Sequence, residues 1–353
     1  MKVVIYQENI DELNILPNNL TELYINETDC TELPELYFTL HSTVKYSYLI
    51  YLDCSNNYLI ELPELLYCKN LIHINCSKNQ LRNLPELSNL KLLQGLYCWN
   101  NRLTELPDLT GCEQLKNIDY SGNYIKDIPN NLPKMIQKIG CNKNKIKNMN
   151  LSDKPNLNYF DISNNEIIIL NPIINNFFYL MELYCNNNNL TYLPNLSALK
   201  ELKILNCSNN QITSLPYISG LTKLKELYIS NNKIVSLPIL NNNLSILDFN
   251  NNLIKGVIDL NNNVELEELH CNNNKIEELY IHRLINLHTL DIGNNKINIL
   301  PDLSGLIKLR FIECNGNLLP KEVYDIINDD DYYFVDKINR LIPYSFVETF
   351  VLI

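Results

Sequence analysis

Twelve residues of this chain, LNCSNNQITSLP at 205–216, return as INCSKNQLRNLP at 74–85, LYCNNNNLTYLP at 183–194 and LDCSNNYLIELP at 52–63. The unit behind them reads L-x-x-L-x-C-x-x-N-x-L-x-x-L-P-x-L. With its first leucine as position 1, it starts at Leu20, Leu49, Leu71, Leu93, Leu115, Ile136, Leu157, Leu180, Leu202, Leu224, Leu244, Leu266, Leu287 and Leu309. These fourteen units follow at steps of 20 to 23 residues, except the 29 from Leu20 to Leu49, which contain the insertion YFTLHSTVKYSY. Such a period marks a solenoid, in which each unit buries its apolar face only against its neighbours. It also frees a chain of 353 residues from the two-domain expectation, because a linear repeat adds core with every turn.

Within the unit, apolar positions 4 and 6 alternate with polar 3, 5 and 7, the period of a half-buried strand whose odd positions face outward. Each strand is too short to stand alone, so the strands stack into one parallel sheet. Position 9 is asparagine in thirteen of fourteen units, Thr28 being the exception. There the chain leaves the strand with buried amides and carbonyls, and an inward asparagine supplies both donor and acceptor, predicting a ladder from unit to unit. Position 15 is proline in nine units, from Pro34 to Pro301. Proline lacks a donor and disfavours helix before it, so the far side is expected to be extended or 3-10, closing a slim, moderately curved arc.

Eight of the eleven cysteines (Cys54, Cys76, Cys98, Cys141, Cys185, Cys207, Cys271 and Cys314) sit at position 6. Cys30 takes the leucine place of position 11, and Cys68 and Cys112 take position 20, where other units carry leucine. Metal binding needs clustered ligands such as C-x-x-C, which are missing from the sequence. A reactive thiol needs an exposed, electropositive setting. Relaxed disulfide geometry fits poorly across parallel strands about 4.8 Å apart. The cysteines are read as small, polarizable core residues.

On these residues the chain resembles the leucine-rich repeat family over about residues 1–320. The abundant Asn, Ile, Lys and Tyr, with cysteine at position 6, resemble the leucine-rich repeat proteins of giant DNA viruses of the Mimivirus type. Cysteine-bearing internalin-like repeats are a second likeness. The resemblance implies an α/β solenoid, a leucine-rich repeat arc with a parallel β-sheet on the concave face. It divides the chain into a cap or degenerate repeat at 1–19 (where Ile10 and Leu13 keep the spacing), repeats over 20–320, and a helical cap at 321–353. In that cap Val323, Ile326 and Ile327 share the face of one helix, and Phe334, Ile338 and Leu341 that of a second, with Asp329–Asp331 at its N-terminus.

A net charge of −11, read as dispersed, disfavours nucleic-acid binding and a polybasic membrane role. No apolar run reaches the roughly 20 residues of a membrane span, and MKVVIYQENIDEL lacks the apolar core of a secretory signal. The expectation is a monomeric protein of the cytoplasm, of the host cytoplasm if viral, and not secreted. Five histidines (His41, His73, His270, His282 and His288) have no metal spacing, and no nucleophile elbow or phosphate loop is present, so neither catalysis nor a cofactor is expected.

The concave face is the family's usual recognition surface, which makes an unidentified protein the expected partner. Its candidate residues at positions 3, 5 and 7 are Asp53, His73, Asn75, Tyr97, Trp99, Asp119, Asp161, Tyr184, Tyr228, Asp248, His270 and Asp291. The row reads either as a binding face or as acids and tyrosines that keep a sheet soluble and strand-prone. Around Trp99, the chain's one tryptophan, aromatics in a polar rim favour binding. A ubiquitin-ligase substrate subunit and an internalin-like adhesin are the alternatives. The first lacks room for a ligase domain or F-box, and the second lacks a signal.

Overall fold

The computed structural model describes residues 1–7, 16–17, 19–33, 48–149, 151, 154–329 and 334–344. Ile10, Leu13, Pro34, His41, Asp330, Asp331 and all of the insertion except Tyr48 lie outside them. The chain divides into two compact units, Met1–Glu182 and Leu183–Ile353. Both follow one building rule, a parallel-sheet solenoid of the leucine-rich repeat kind with few helices.

In the first unit, eight three-residue strands pair in parallel in chain order. They are β1 (Lys2–Val4), β2 (Glu22–Tyr24), β3 (Tyr51–Asp53), β4 (His73–Asn75), β5 (Gly95–Tyr97), β6 (Asn117–Asp119), β7 (Lys138–Gly140) and β8 (Tyr159–Asp161). From β2 onward the strands occupy positions 3 to 5 of the repeat, so same-position residues are direct neighbours: His73 opposes Gly95, and Tyr97 opposes Asp119. The second unit continues the pattern with β9 (Glu182–Tyr184), which begins at the boundary. It is followed by β10 (Ile204–Asn206), β11 (Glu226–Tyr228), β12 (Ile246–Asp248), β14 (Glu268–His270), β16 (Thr289–Asp291) and β17 (Phe311–Glu313).

The core is one slice per turn. Leu202, Leu205, Cys207 and Ile212, at positions 1, 4, 6 and 11, are fully buried, and their counterparts repeat this from turn to turn. All eleven cysteines are buried, as their repeat positions predict. Burial pushes the Cys76 and Cys207 thiols up to about 12 and the fully buried Cys54, Cys98 and Cys271 well above the ordinary range. Tyr120 replaces cysteine at position 6 in one turn. It too is fully buried, between turns that carry Cys98 and Cys141.

The asparagine ladder forms. Asn210 Nδ2 donates to the carbonyls of Cys185 (3.1 Å), Cys207 (3.0 Å) and Ser208 (3.1 Å), while its Oδ1 accepts from Leu190 N at 2.9 Å. One side chain thus ties its own turn to the preceding one. Thr28, the exception, joins from the other side, its amide and hydroxyl both donating to Asn57 Oδ1 at 3.0 Å.

Directly before the ladder, position 8 is left-handed in every turn. The φ values run from 49° at Asn294 to 60° at Glu27, with Gly122 at 66° and Gly316 at 74°. Nine of these residues are asparagine, which tolerates this region better than other residues with a Cβ.

Among the described residues the far side is mostly turns and extended chain, with a five-residue 3-10 helix at Pro172–Asn176. A departure occurs in two of the turns that lack proline at position 15; at Asn171, which also lacks it, the 3-10 helix follows instead. Position 15 is Ile258 and Tyr280 in two adjacent turns, and there β13 (Lys255–Asp259) and β15 (Lys275–Tyr280) form a separate two-stranded parallel sheet. An amide at position 15 can join a ladder; a proline cannot. After the last repeat come α1 (Lys321–Ile327), burying Val323 and Ile326, and α2 (Phe334–Leu341), burying Leu341. Lys337 Nζ donates to Ile327 O at 2.9 Å.

Candidate protein-binding face

Strand positions 3 and 5 flank a buried position 4, so both point to the outer sheet face, and nearly all are half-buried. The acids at position 5 all make one contact. Asp53, Asp119 and Asp161 accept from the amide two residues on, at Ser55, Ser121 and Ser163, each at 3.0 Å. Asp248 does the same for Asn250 at 3.0 Å, and Asp291 for Gly293 at 3.2 Å. Asn75 accepts from Ser77 N at 3.2 Å and from Ser77 Oγ at 2.7 Å. These are side-chain turns that satisfy the amide at the strand's end. For these six candidates the structure supplies a folding role within the turn, whatever else they contact.

Position 7 corrects the sequence reading in part. It was expected to face outward; Ser77, Ser121, Ser163, Ser208 and Ser230 are instead buried, while Ser55, Trp99, Asn142, Asn186, Asn250 and Asn272 are half-buried and Asn26 and Asn315 exposed. Each strand ends at position 5, and from there the chain bends toward its left-handed residue, so alternation no longer decides which way position 7 points.

Three of the six candidates without that turn contact stand close together in the sequence of the first unit. His73, Tyr97 and Trp99 are half-buried on β4, β5 and the residue two beyond β5. Gly95 leaves room for the His73 and Tyr97 rings. A Cβ there would lie 2.5 Å from His73 Nδ1 and 3.0 Å from Tyr97 Cε2, so a larger residue would push both rings aside. Lys78 Nζ sits 5.3 Å from the Trp99 ring centroid. Toward the N-terminus the aromatic run continues: Tyr51 lies 5.8 Å from His73 and stacks on Tyr24 at 5.0 Å, and Lys2 Nζ caps Tyr24 at 4.3 Å. Desolvation raises the phenols of Tyr24 and Tyr51, and neighbouring carboxylates raise them further. It also raises Asp119, against the bonds from Ser121. Tyr51 was missed as a candidate. It stands at position 3, the same outward row as His73, and that row was the available signal.

In the second unit the candidates occur as local pairs. Tyr228 Oη donates to Glu226 Oε2 at 3.0 Å, and its phenol is pushed up to about 12, first by burial and then by that carboxylate. His270 Nε2 lies 3.2 Å from Glu268 Oε2. Tyr228, Asp248, His270 and Asp291 are register neighbours across β11, β12, β14 and β16, while Tyr184 stands at the same repeat position on β9. Among the described residues no group of three His, Cys, Asp or Glu is placed to hold a metal ion.

Family models agree with this geometry. "Leucine Rich repeats (2 copies)" matches residues 180–216 and 200–242, and "Leucine Rich Repeat" matches 286–306. No curated protein matches the chain by sequence. Among solved structures, a leucine-rich repeat protein of Leptospira interrogans is similar over 94% of this chain and 84% of its own, with 23% identity and a TM-score of 0.65. YopM of Yersinia enterocolitica is similar over 86% of this chain and 71% of its own, at 28% identity and a TM-score of 0.60. The functional domain of InlJ from Listeria monocytogenes, described as including a cysteine ladder, covers 86% of this chain and 72% of its own, at 23% identity and a TM-score of 0.57.

Proposed function

We propose that this chain is a non-enzymatic scaffold that binds a protein partner through its outer sheet face, with His73, Tyr97 and Trp99 as the anchor. The fold is typical of protein-interaction scaffolds, which supports the class. The observation that carries the anchor is the pair of half-buried rings, His73 and Tyr97, for which Gly95 leaves room, with half-buried Trp99 two residues beyond Tyr97 and Asp53, Asn75 and Asp119 as the polar rim. Aromatics in such a setting dominate binding energy where they are buried by a partner. The rest of the position 5 row, including Tyr184 and Tyr228, extends the contact surface in this reading. Residues 1–19 act as the lead turn and 321–353 as the cap of the repeat array. The viral source and the host cytoplasm belong to the same proposal. They rest on composition, and on cysteines whose raised pKa values suit them to stay as thiols. No helix among the described residues is long and apolar enough to cross a membrane.

The test is capture from a eukaryotic lysate followed by titration of what is retained. Trp99→Ala should weaken binding by about 2–4 kcal/mol with the melting temperature nearly unchanged. Lys223→Ala, outside the sheet face and paired with half-exposed Glu201 at 2.6 Å, should leave binding intact. Unchanged affinity in the tryptophan variant would remove the anchor from this reading.

A further inference from the structure

Charge is not dispersed in this chain; it is sorted by repeat position. In the second unit the outer sheet face carries Glu226, Asp248, Glu268, Asp291 and Glu313, with His270 as the one basic side chain at positions 3 and 5. Positions 8, 10 and 12, where the chain leaves the strand and enters the far side, carry the opposite sign. In the four turns between Leu71 and Met149 they hold Arg82, Arg102, Lys126, Lys143, Lys145 and Lys147, together with the Lys78 that lies on Trp99. No Asp or Glu occupies these positions in those turns.

The fold explains how the cations line up. Position 11 is core (Leu81, Leu103, Ile125 and Ile146 are buried), so extended chain on either side turns positions 10 and 12 outward. Consecutive turns are locked in register there. Arg102 N donates to Leu81 O at 2.9 Å, Tyr124 N to Leu103 O at 2.8 Å, and Lys145 N to Ile125 O at 2.9 Å. All six cations are exposed, and Arg82, Arg102, Lys126 and Lys143 have no ion-pair partner among the described residues. Neighbouring turns are about 5 Å apart, well inside a Debye length of roughly 8–10 Å, so the cations reinforce one another.

We propose that this edge of the first unit is a second interaction surface, distinct from the sheet face, which binds a short acidic polypeptide segment. The patch is bounded. Glu27 and Asp29 stand at the equivalent positions of the first turn, and Glu166 stands beyond the last, 3.4 Å from Lys147. Four turns span roughly 15–20 Å, a length matched by a few alternate residues of an extended strand. Glu105 and Asp127, exposed at position 13, flank the row and narrow it further. A long polyphosphate would run past both ends onto a chain of net charge −11. Base stacking also lacks a free platform, because Tyr124, the one aromatic at positions 8 to 12 of these turns, already carries Lys145 Nζ at 5.0 Å.

The test uses the full chain and fluorescence anisotropy with two labelled probes, a peptide of about twelve glutamates and a single-stranded oligonucleotide of about twelve nucleotides. The peptide should bind, more tightly at low salt. The variant Arg102→Glu, Lys126→Glu, Lys145→Glu should weaken it by about tenfold or more, because local complementarity, not total charge, holds it. A control with the same net-charge change at exposed sites off the edge (Lys69→Glu, Lys91→Glu, Lys134→Glu) should change affinity by less than about threefold. Circular dichroism melting checks that both variants remain folded. Equal losses in the two variants, no peptide binding, or tighter oligonucleotide binding lost with the same three residues would each overturn the proposal.

Discussion

Position 9 and position 5 lie four residues apart in every turn, and both accept hydrogen bonds from backbone amides. Within this one chain, however, position 9 is asparagine thirteen times in fourteen, while position 5 is Asp, Asn, Glu, Tyr, His or Gly. Burial accounts for the difference. Asn210 is buried and serves groups of two turns with both ends of its amide, and water cannot replace it. Asp248 is half-buried and accepts from one local amide, Asn250 N, which water can satisfy when position 5 is tyrosine or glycine. The inner columns therefore specify the fold, and the outer row leaves room for chemistry that varies from turn to turn.

The largest test of that contrast is alkaline pH. The inward thiols of Cys76 and Cys207 are pushed up to about 12 by burial, from an ordinary 9.0. Between those values the unfolded chain has lost protons that the folded chain still holds, so stability is full below pH 9 and falls as pH rises. Each fully buried thiol contributes up to about 1.4 kcal/mol per pH unit to that fall. Urea unfolding measured from pH 7 to 10 should show a steep loss above 9, shallower in Cys207→Val. At pH 7 a thiol reagent should react slowly with native protein and with all eleven cysteines after denaturation. Rapid native labelling of most thiols would break the assignment of the column to the core.

Next in size is the ladder itself. Asn210→Ala leaves the Leu190 amide and the carbonyls of Cys185 and Cys207 without their side-chain partner, and should cost about 1–3 kcal/mol by denaturant unfolding. A loss below about 0.5 kcal/mol would place the specificity of position 9 elsewhere.

The ladder, the core cysteines and the strand at positions 3 to 5 were legible because each follows from one period and one rule about buried polar groups. What was not legible sits where a second rule competes. The outward reading of position 7 extended strand alternation past the strand's last residue, although the turn had already begun. Asparagine at position 8 was present nine times beside position 9, and its left-handed backbone was the missed meaning of the paired Asn residues. Asp-x-Ser at 53–55, 119–121 and 161–163 carried the signature of a side-chain turn, so the position 5 acids could have been given a folding role from sequence. Missing prolines at positions 258 and 280 permitted the second small sheet but did not specify it, since Asn171 also lacks proline and leads into a 3-10 helix. The aromatic cluster was partly legible: register set His73 opposite Gly95, two residues before Tyr97 on the neighbouring strand, but the clearance at Gly95 needed coordinates.

The smallest effect discriminates best between the two columns. Asp248→Ala removes the acceptor of Asn250 N at 3.0 Å and should cost about 0.5–1 kcal/mol, the net worth of one hydrogen bond that water partly replaces. Asp248→Asn keeps an acceptor at the same place without the charge. If position 5 acids serve the turn, the asparagine variant should unfold like the parent, as Asn75 and Asn206 already do this work at 3.2 and 3.1 Å. If the charge is what matters, the two variants should match each other instead. Raised salt should then shift the parent toward them, because exposed charge is screened over about 10 Å and a local amide bond is not.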